Sequence, residues 1–296
     1  MPYVVLGGAQ IAVGAGAIFA RYALGGAGPL AVSAARLAIA AVILLSVTAL
    51  RGTRVRVSLT RAQQGILALA GLALAAHFAT WIWSLEYTSV AVSVLLVATT
   101  PIWTAIYDAV FHGHRLSPTA MAAFAGGAIG IVMVVGASTP VAPPVSGHET
   151  LGAALALAGS LLFGAYLLLV REVRTELDTL TIVRQTFGWA AVALVLAALL
   201  ARQPLPPLTD VRPWLGILAM ALVSQLLGHT ALNASLRWFS PSAVAFANLL
   251  EPLIAAALAF ALFGEGLPAT AVIGGLILLA SVGMVMKEER FDLDGT

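Results

Sequence analysis

Of these 296 residues, few side chains can carry ionic or acid–base chemistry, and several of those stand inside long apolar runs. Glu251 is the sharpest case. It lies roughly eleven residues into the apolar run 241–263, directly before Pro252, which by helical rise is near the midplane of a membrane. A charge at that depth costs about 2.5–3.5 kcal/mol on insertion scales. The carboxyl can bind a substrate ammonium, exchange a proton, or serve as a structural group paired with a neighbouring helix. Asn248, three residues earlier, shares its face. Pro252 and Pro101 mark helix breaks, because proline lacks the backbone donor and frees a carbonyl in the turn before it.

Other polar groups at similar depth come in helical register. His77 precedes Trp81 by four residues and Gln225 precedes His229 by four, so each pair lies on one face. A neutral hydrogen-bonded histidine, a substrate contact and a proton relay are all open to His77 and His229. Thr100, Thr104 and Tyr107 make a polar stripe with Trp103 beside it, suited to pocket lining or to helix packing. Phe163 and Tyr166 add to the large aromatics, and such a lining would fit an apolar side chain with a polar head. Arg36 and Arg184 lie a turn or two inside the ends of their runs. A guanidinium there can take a carboxylate through two parallel hydrogen bonds or meet a gate partner, although snorkelling to lipid phosphate is the commoner use. With no cysteine and no third ligand at metal spacing, neither a metal nor a cofactor is expected. HExxH, GxSxG and paired-aspartate motifs are missing, so an enzyme is not expected.

Membrane-spanning helices must position these groups. The chain is 60% hydrophobic and 9% charged with mean hydropathy +1.00, against about 25% charge in an ordinary soluble domain. Ten runs are long enough to cross a bilayer: 4–21, 29–50, 63–85, 88–111, 118–137, 150–170, 180–200, 213–236, 241–263 and 268–286. Positive charge orients them. Arg51, Arg54, Arg56, Arg61, Arg115, Arg171, Arg174, Arg184, Arg237, Lys287 and Arg290 fall on one side, which places both termini in the cytoplasm; Arg21, Arg202 and Arg212 fall outside. These scattered charges read as topology, so the pI of about 9.3 does not point to nucleic acid.

An internal repeat organises the runs. A shift of 151 residues sets 84–116 against 235–267 without a gap, bringing Ser84, Pro101 and Gly113 onto Ser235, Pro252 and Gly264. Nearby offsets pair Gly14 with Gly164, Arg21 with Arg171 and Arg36 with Arg184. Five spans per repeat is an odd number, so the second half is inverted. The expected fold is an all-α membrane protein built around a central cavity: a first repeat at 1–138, a Pro-rich extracytoplasmic linker at 139–149, an inverted repeat at 150–287, and a cytoplasmic tail at 288–296. Gly126 and Gly130, with Gly274 and Gly275, form small-residue faces that read as scaffold or as a dimer face.

Ten spans in two halves, the tripeptides Thr99–Pro101 and Leu250–Pro252, the FHGHRLS and FGEGLP turns after them, and the glycine-bearing fifth and tenth runs together resemble the EamA-type branch of the drug/metabolite transporter superfamily. The resemblance implies a secondary transporter of the bacterial inner membrane, a monomer or homodimer, that exports amino acids, aromatic ones among them, or related metabolites by alternating access. It also implies that the Glu-Pro pair is shared by members with different substrates, which favours a structural role for Glu251. The implied partners are a small-molecule substrate and the lipid bilayer. Transport of another class, such as a nucleobase, sugar or cationic compound, is the alternative, with a channel behind it. If an ion gradient drives the cycle, His77, His229 and Glu251 fit protons better than sodium.

Overall fold

The computed structural model describes residues 2–50, 59–111, 117–135, 147–235, 238, 247–248 and 250–294. The Pro-rich stretch up to residue 146, the turn at 112–116, and Arg51, Arg54, Arg56, Arg115 and Arg237 lie outside the described residues, as do the side chains of Asp108, Lys287 and Arg290. Helices account for nearly all the rest, and among the described residues there is no strand. They are α1 (Pro2–Gly14), α2 (Gly16–Leu24), α3 (Pro29–Leu50), α4 (Arg61–Tyr87), α5 (Val90–Val97), α6 (Thr100–Phe111), α7 (Pro118–Val135), α8 (Glu149–Val173), α9 (Thr179–Leu200), α10 (Val211–Ala219), a π-helical stretch (Met220–His229), α11 (Thr230–Ser235), α12 (Leu250–Phe263) and α13 (Ala269–Asp294).

Among the described residues, seven helical runs are long and apolar enough to cross a membrane: Pro2–Leu24, Pro29–Leu50, Arg61–Tyr87, Val90–Phe111, Glu149–Val173, Thr179–Leu200 and Val211–Ser235. Met121–Val134, Leu250–Phe263 and Ala269–Ser281 are apolar but shorter. Local chemistry sets several starts. Thr60 and Gln63 close a capping box on α4, with Gln63 N donating to Thr60 Oγ1 at 3.2 Å and Thr60 N to Gln63 Oε1 at 2.9 Å. Asp178 caps α9 by accepting from Thr181 N at 3.0 Å.

Among the described residues, several runs that apolar length alone would leave continuous are interrupted. The first breaks at Ala15, between Gly14 and Gly16; the fourth breaks at Ala98–Thr99; the eighth changes to a π-helix through Gln225 and His229.

Packing carries the repeat into three dimensions. The first run (α1 and α2) lies on the eighth (α10, the π stretch and α11) as the third (α4) lies on the sixth (α8). It meets the ninth (α12) as α8 meets the fourth (α5 and α6), and α4 meets α9 as the eighth run meets α3. The pairs α3 with α9, α5 with α12, and α7 with α13 map onto themselves. Gly14 and Gly164 show the correspondence at atomic scale. A Cβ on Gly14 would come within 3.4 Å of Glu251 O, and one on Gly164 within 3.8 Å of Thr100 O; Thr100 and Glu251 are the residues that the 151-residue shift superposes. The small-residue faces of α7 and α13 meet each other. Gly130 and Gly274 cross so closely that a Cβ on either would fall 2.7 or 3.0 Å from the other's carbonyl oxygen. That contact uses them as scaffold within one chain.

Candidate functional site

Two proline-marked breaks shape the middle of the molecule. Pro101 cannot donate to Val97 O, and Thr100 Oγ1 takes that carbonyl at 2.9 Å while Thr99 Oγ1 donates to Leu96 O at 2.7 Å. Pro252 leaves Asn248 O in the same position, and Glu251 N donates to it at 3.0 Å. Each proline therefore sits in the first turn of a new helix, where its missing N–H costs little. Beside the first break, Ser160 Oγ of α8 lies 2.8 Å from Thr99 Oγ1 and accepts from Trp103 Nε1 at 3.1 Å. Ser160 carries no sign of this in the sequence beyond being a small polar residue one position after Gly159. Trp103 is thus held by hydrogen bonds between α6 and α8, and lines neither cavity described below.

Between the halves lies a cavity lined by Arg36, His77, Phe78, Trp81, Phe163, His229, Asn248 and Glu251, with Val13, Val97, Ser224 and Leu232 completing its wall. His77 Nδ1 donates to Gly159 O at 2.8 Å, which fixes the ring's orientation and, in its neutral form, leaves Nε2 as the acceptor. That ring lies parallel to Trp81, at 2° and 6.1 Å between centroids, and 4.8 Å from Phe163. His229 meets Phe78 edge-on at 5.5 Å. Asn248 Oδ1 accepts from Gln10 Nε2 at 2.8 Å, tying α1 to the entrance of α12.

Arg36 departs from the commoner snorkelling use. It is 1% exposed, with its guanidinium carbon 3.9 Å above the Phe78 ring and 5.7 Å from the Trp81 ring. Its Nε and Nη1 have no hydrogen-bond partner, and no ion pair joins it to Glu251 across the shared cavity. A turn of α3 facing α4 instead of lipid turns the side chain inward.

The remaining candidates lie around this centre. Thr100 and Pro101 line an adjoining cavity with Thr104 and Leu167, and Val97, Phe163, Asn248 and Glu251 are common to both. Tyr166 is 2% exposed and stacks against Phe163 without reaching either cavity. Gln225 is fully buried with neither amide atom paired. Tyr107 sits partly exposed against Phe111, and Arg184 is half-buried away from the cavities.

Among the described residues, one ion pair lies outside both cavities. Arg21 Nη2 and Glu265 Oε1 are 2.7 Å apart. The same arginine donates to Leu85 O, and Glu265 Oε2 accepts from Val90 N at 2.9 Å. The sequence signal was an acid in the FGEGLP turn and a base at the far end of the first run.

In sequence, residues 2–136 and 150–287 match the EamA-like transporter family. An uncharacterized transporter of Archaeoglobus fulgidus is 24% identical over 210 residues, 71% of this chain and 72% of that protein. An uncharacterized inner membrane transporter of Escherichia coli K12, YhbE, is 30% identical over 138 residues, 46% of this chain and 42% of that protein. A solved crystal structure superposes with a TM-score of 0.66 at 15% identity, covering 96% of both chains, and speaks to the fold alone.

Proposed function

The chain belongs to the EamA-like transporter family, and from that premise we propose that it exports amino acids or related small metabolites across a bacterial inner membrane by alternating access. Its relatives are named as transporters, and small-molecule transport through a multi-pass membrane protein follows from the family. In this reading ten spans form two inverted halves, 1–138 and 150–287, joined by an extracytoplasmic linker at 139–149, with both termini and the 288–296 tail in the cytoplasm.

One observation carries the substrate reading: a single cavity receives the cation Arg36 from the first half and the carboxyl Glu251 from the second, with Phe78, Trp81 and Phe163 between polar groups. Opposite charges in one apolar chamber suit a solute that carries both. The corresponding packing of repeat-related helices supports alternating access, since related halves can trade conformations around a fixed site.

Purified protein in proteoliposomes, given labelled amino acids, is the test. Saturable efflux and counterflow are expected for at least one of them. Failure to move any amino acid overturns the substrate reading, and fast unsaturable flux makes the protein a pore.

A further inference from the structure

Resting on the reading of the central cavity as the substrate site, we propose that Arg36 and Trp81 form a carboxylate subsite opposite Glu251, so that the substrate must be a zwitterion bearing both a carboxylate and an ammonium. Three donor nitrogens point to it. Arg36 Nε and Nη1 and Trp81 Nε1 are buried without partners, on two side chains that line the cavity and are 1% and 5% exposed. Buried donors are almost always paired, and a charged one left unpaired is the most costly. The Phe78 face under Arg36 offsets only part of that cost, because a cation over a ring gains about 0.5–2 kcal/mol. What fits is an anion with several acceptor lone pairs, and a planar carboxylate supplies four.

Charge balance selects the rest of the molecule. A simple carboxylate would satisfy Arg36 and leave Glu251 as an uncompensated acid in the same chamber, and an amine would do the reverse. A zwitterion satisfies both and adds no net charge. Its side chain then faces the apolar part of the wall at Val13, Val97, Phe163 and Leu232. The two charged contacts come from different halves, so the substrate bridges the elements that must move.

The full-length protein in detergent, followed by thermal shift, tests this with four probes: L-phenylalanine, L-phenylalaninamide, phenethylamine and 3-phenylpropionate. Phenylalanine is expected to raise the melting midpoint, and each relative, lacking or masking one charge, to bind at least tenfold more weakly. Arg36→Gln is expected to lose the phenylalanine response. Arg36→Met, which keeps an unbranched apolar stem over Phe78 but carries no donor, is expected to lose the phenylalanine response while still melting cooperatively. Equal stabilisation by phenethylamine overturns the proposal, as does an unchanged phenylalanine affinity in Arg36→Gln. A full phenylalanine response in Arg36→Met overturns it as well. The parent reading fails separately, when no labelled amino acid crosses the liposome membrane.

Discussion

Glu251 and Arg36 enter one cavity from opposite halves without forming an ion pair, and that separation decides what the carboxyl can do. A carboxylate already paired would have little reason to exchange partners. One facing a cavity can hold either an ammonium or a proton, and holding one excludes the other, which couples the exit of substrate to the entry of a proton. In proteoliposomes, an imposed pH gradient is therefore expected to accelerate efflux by the wild type, and Glu251→Gln is expected to erase that acceleration while leaving slow flux down the substrate gradient. Full acceleration in the variant would clear Glu251 of the coupling role. At this scale the sequence was informative wherever burial itself was the signal, as for Glu251, His77 and His229 deep in apolar runs. Arg36 was ambiguous because its distance from a helix end fits snorkelling as well as burial. What resolves it is the ring of Phe78, 42 residues away, and no local pattern records that contact.

Helices in this molecule meet where side chains are small, and the energetics follow from what lies opposite each glycine. A Cβ on Gly130 would stand 2.7 Å from Gly274 O and 2.9 Å from Leu278 N, both backbone atoms that cannot rotate away. Gly65, on the exposed face of α4, has nothing within 4 Å. Gly130→Ala must push α7 and α13 apart, an overpacking cost of about 1–3 kcal/mol. Gly65→Ala only removes backbone entropy from the unfolded chain and gains up to ~1 kcal/mol. Melting curves in detergent should thus shift in opposite directions, and a midpoint unmoved by Gly130→Ala would contradict the close crossing. The glycine spacing disclosed a close-contact face but not its partner, which depends on how the halves dock. The proline breaks at Thr99–Pro101 and Leu250–Pro252 were legible because proline removes a donor wherever it falls. The π stretch was not, since its residues bear no special type; it lies against α1, where Ser224 Oγ donates to Ala12 O at 2.8 Å.

Across the whole molecule, an ion pair and a cavity lie toward opposite ends. Arg21, Leu85, Val90 and Glu265 join the ends of α2, α4 and α5 to the turn after α12, so the contact ties the first half to the second. The adjoining cavity runs the opposite way, to Thr104 and Leu167. Thr104 lies 14 residues along from Val90, on the order of 20 Å by helical rise. Alternating access requires the Arg21–Glu265 end, extracytoplasmic in the proposed orientation, to part in every cycle. Removing one partner of a buried ion pair costs about 3–5 kcal/mol, comparable to the few kcal/mol that separate transporter conformations, so Glu265→Gln is expected to populate the state open at this end. The chain contains no cysteine, which allows a single reporter. Ser93 is fully buried one turn below Val90, with its Oγ 2.7 Å from Ser84 Oγ. Ser93→Cys should react slowly with a membrane-impermeant maleimide applied from the Arg21–Glu265 side and severalfold faster once Glu265→Gln is added. Equal rates in the two backgrounds would mean that the ion pair is not the barrier, and the closure would then have to reside in the apolar packing of α2 against α10.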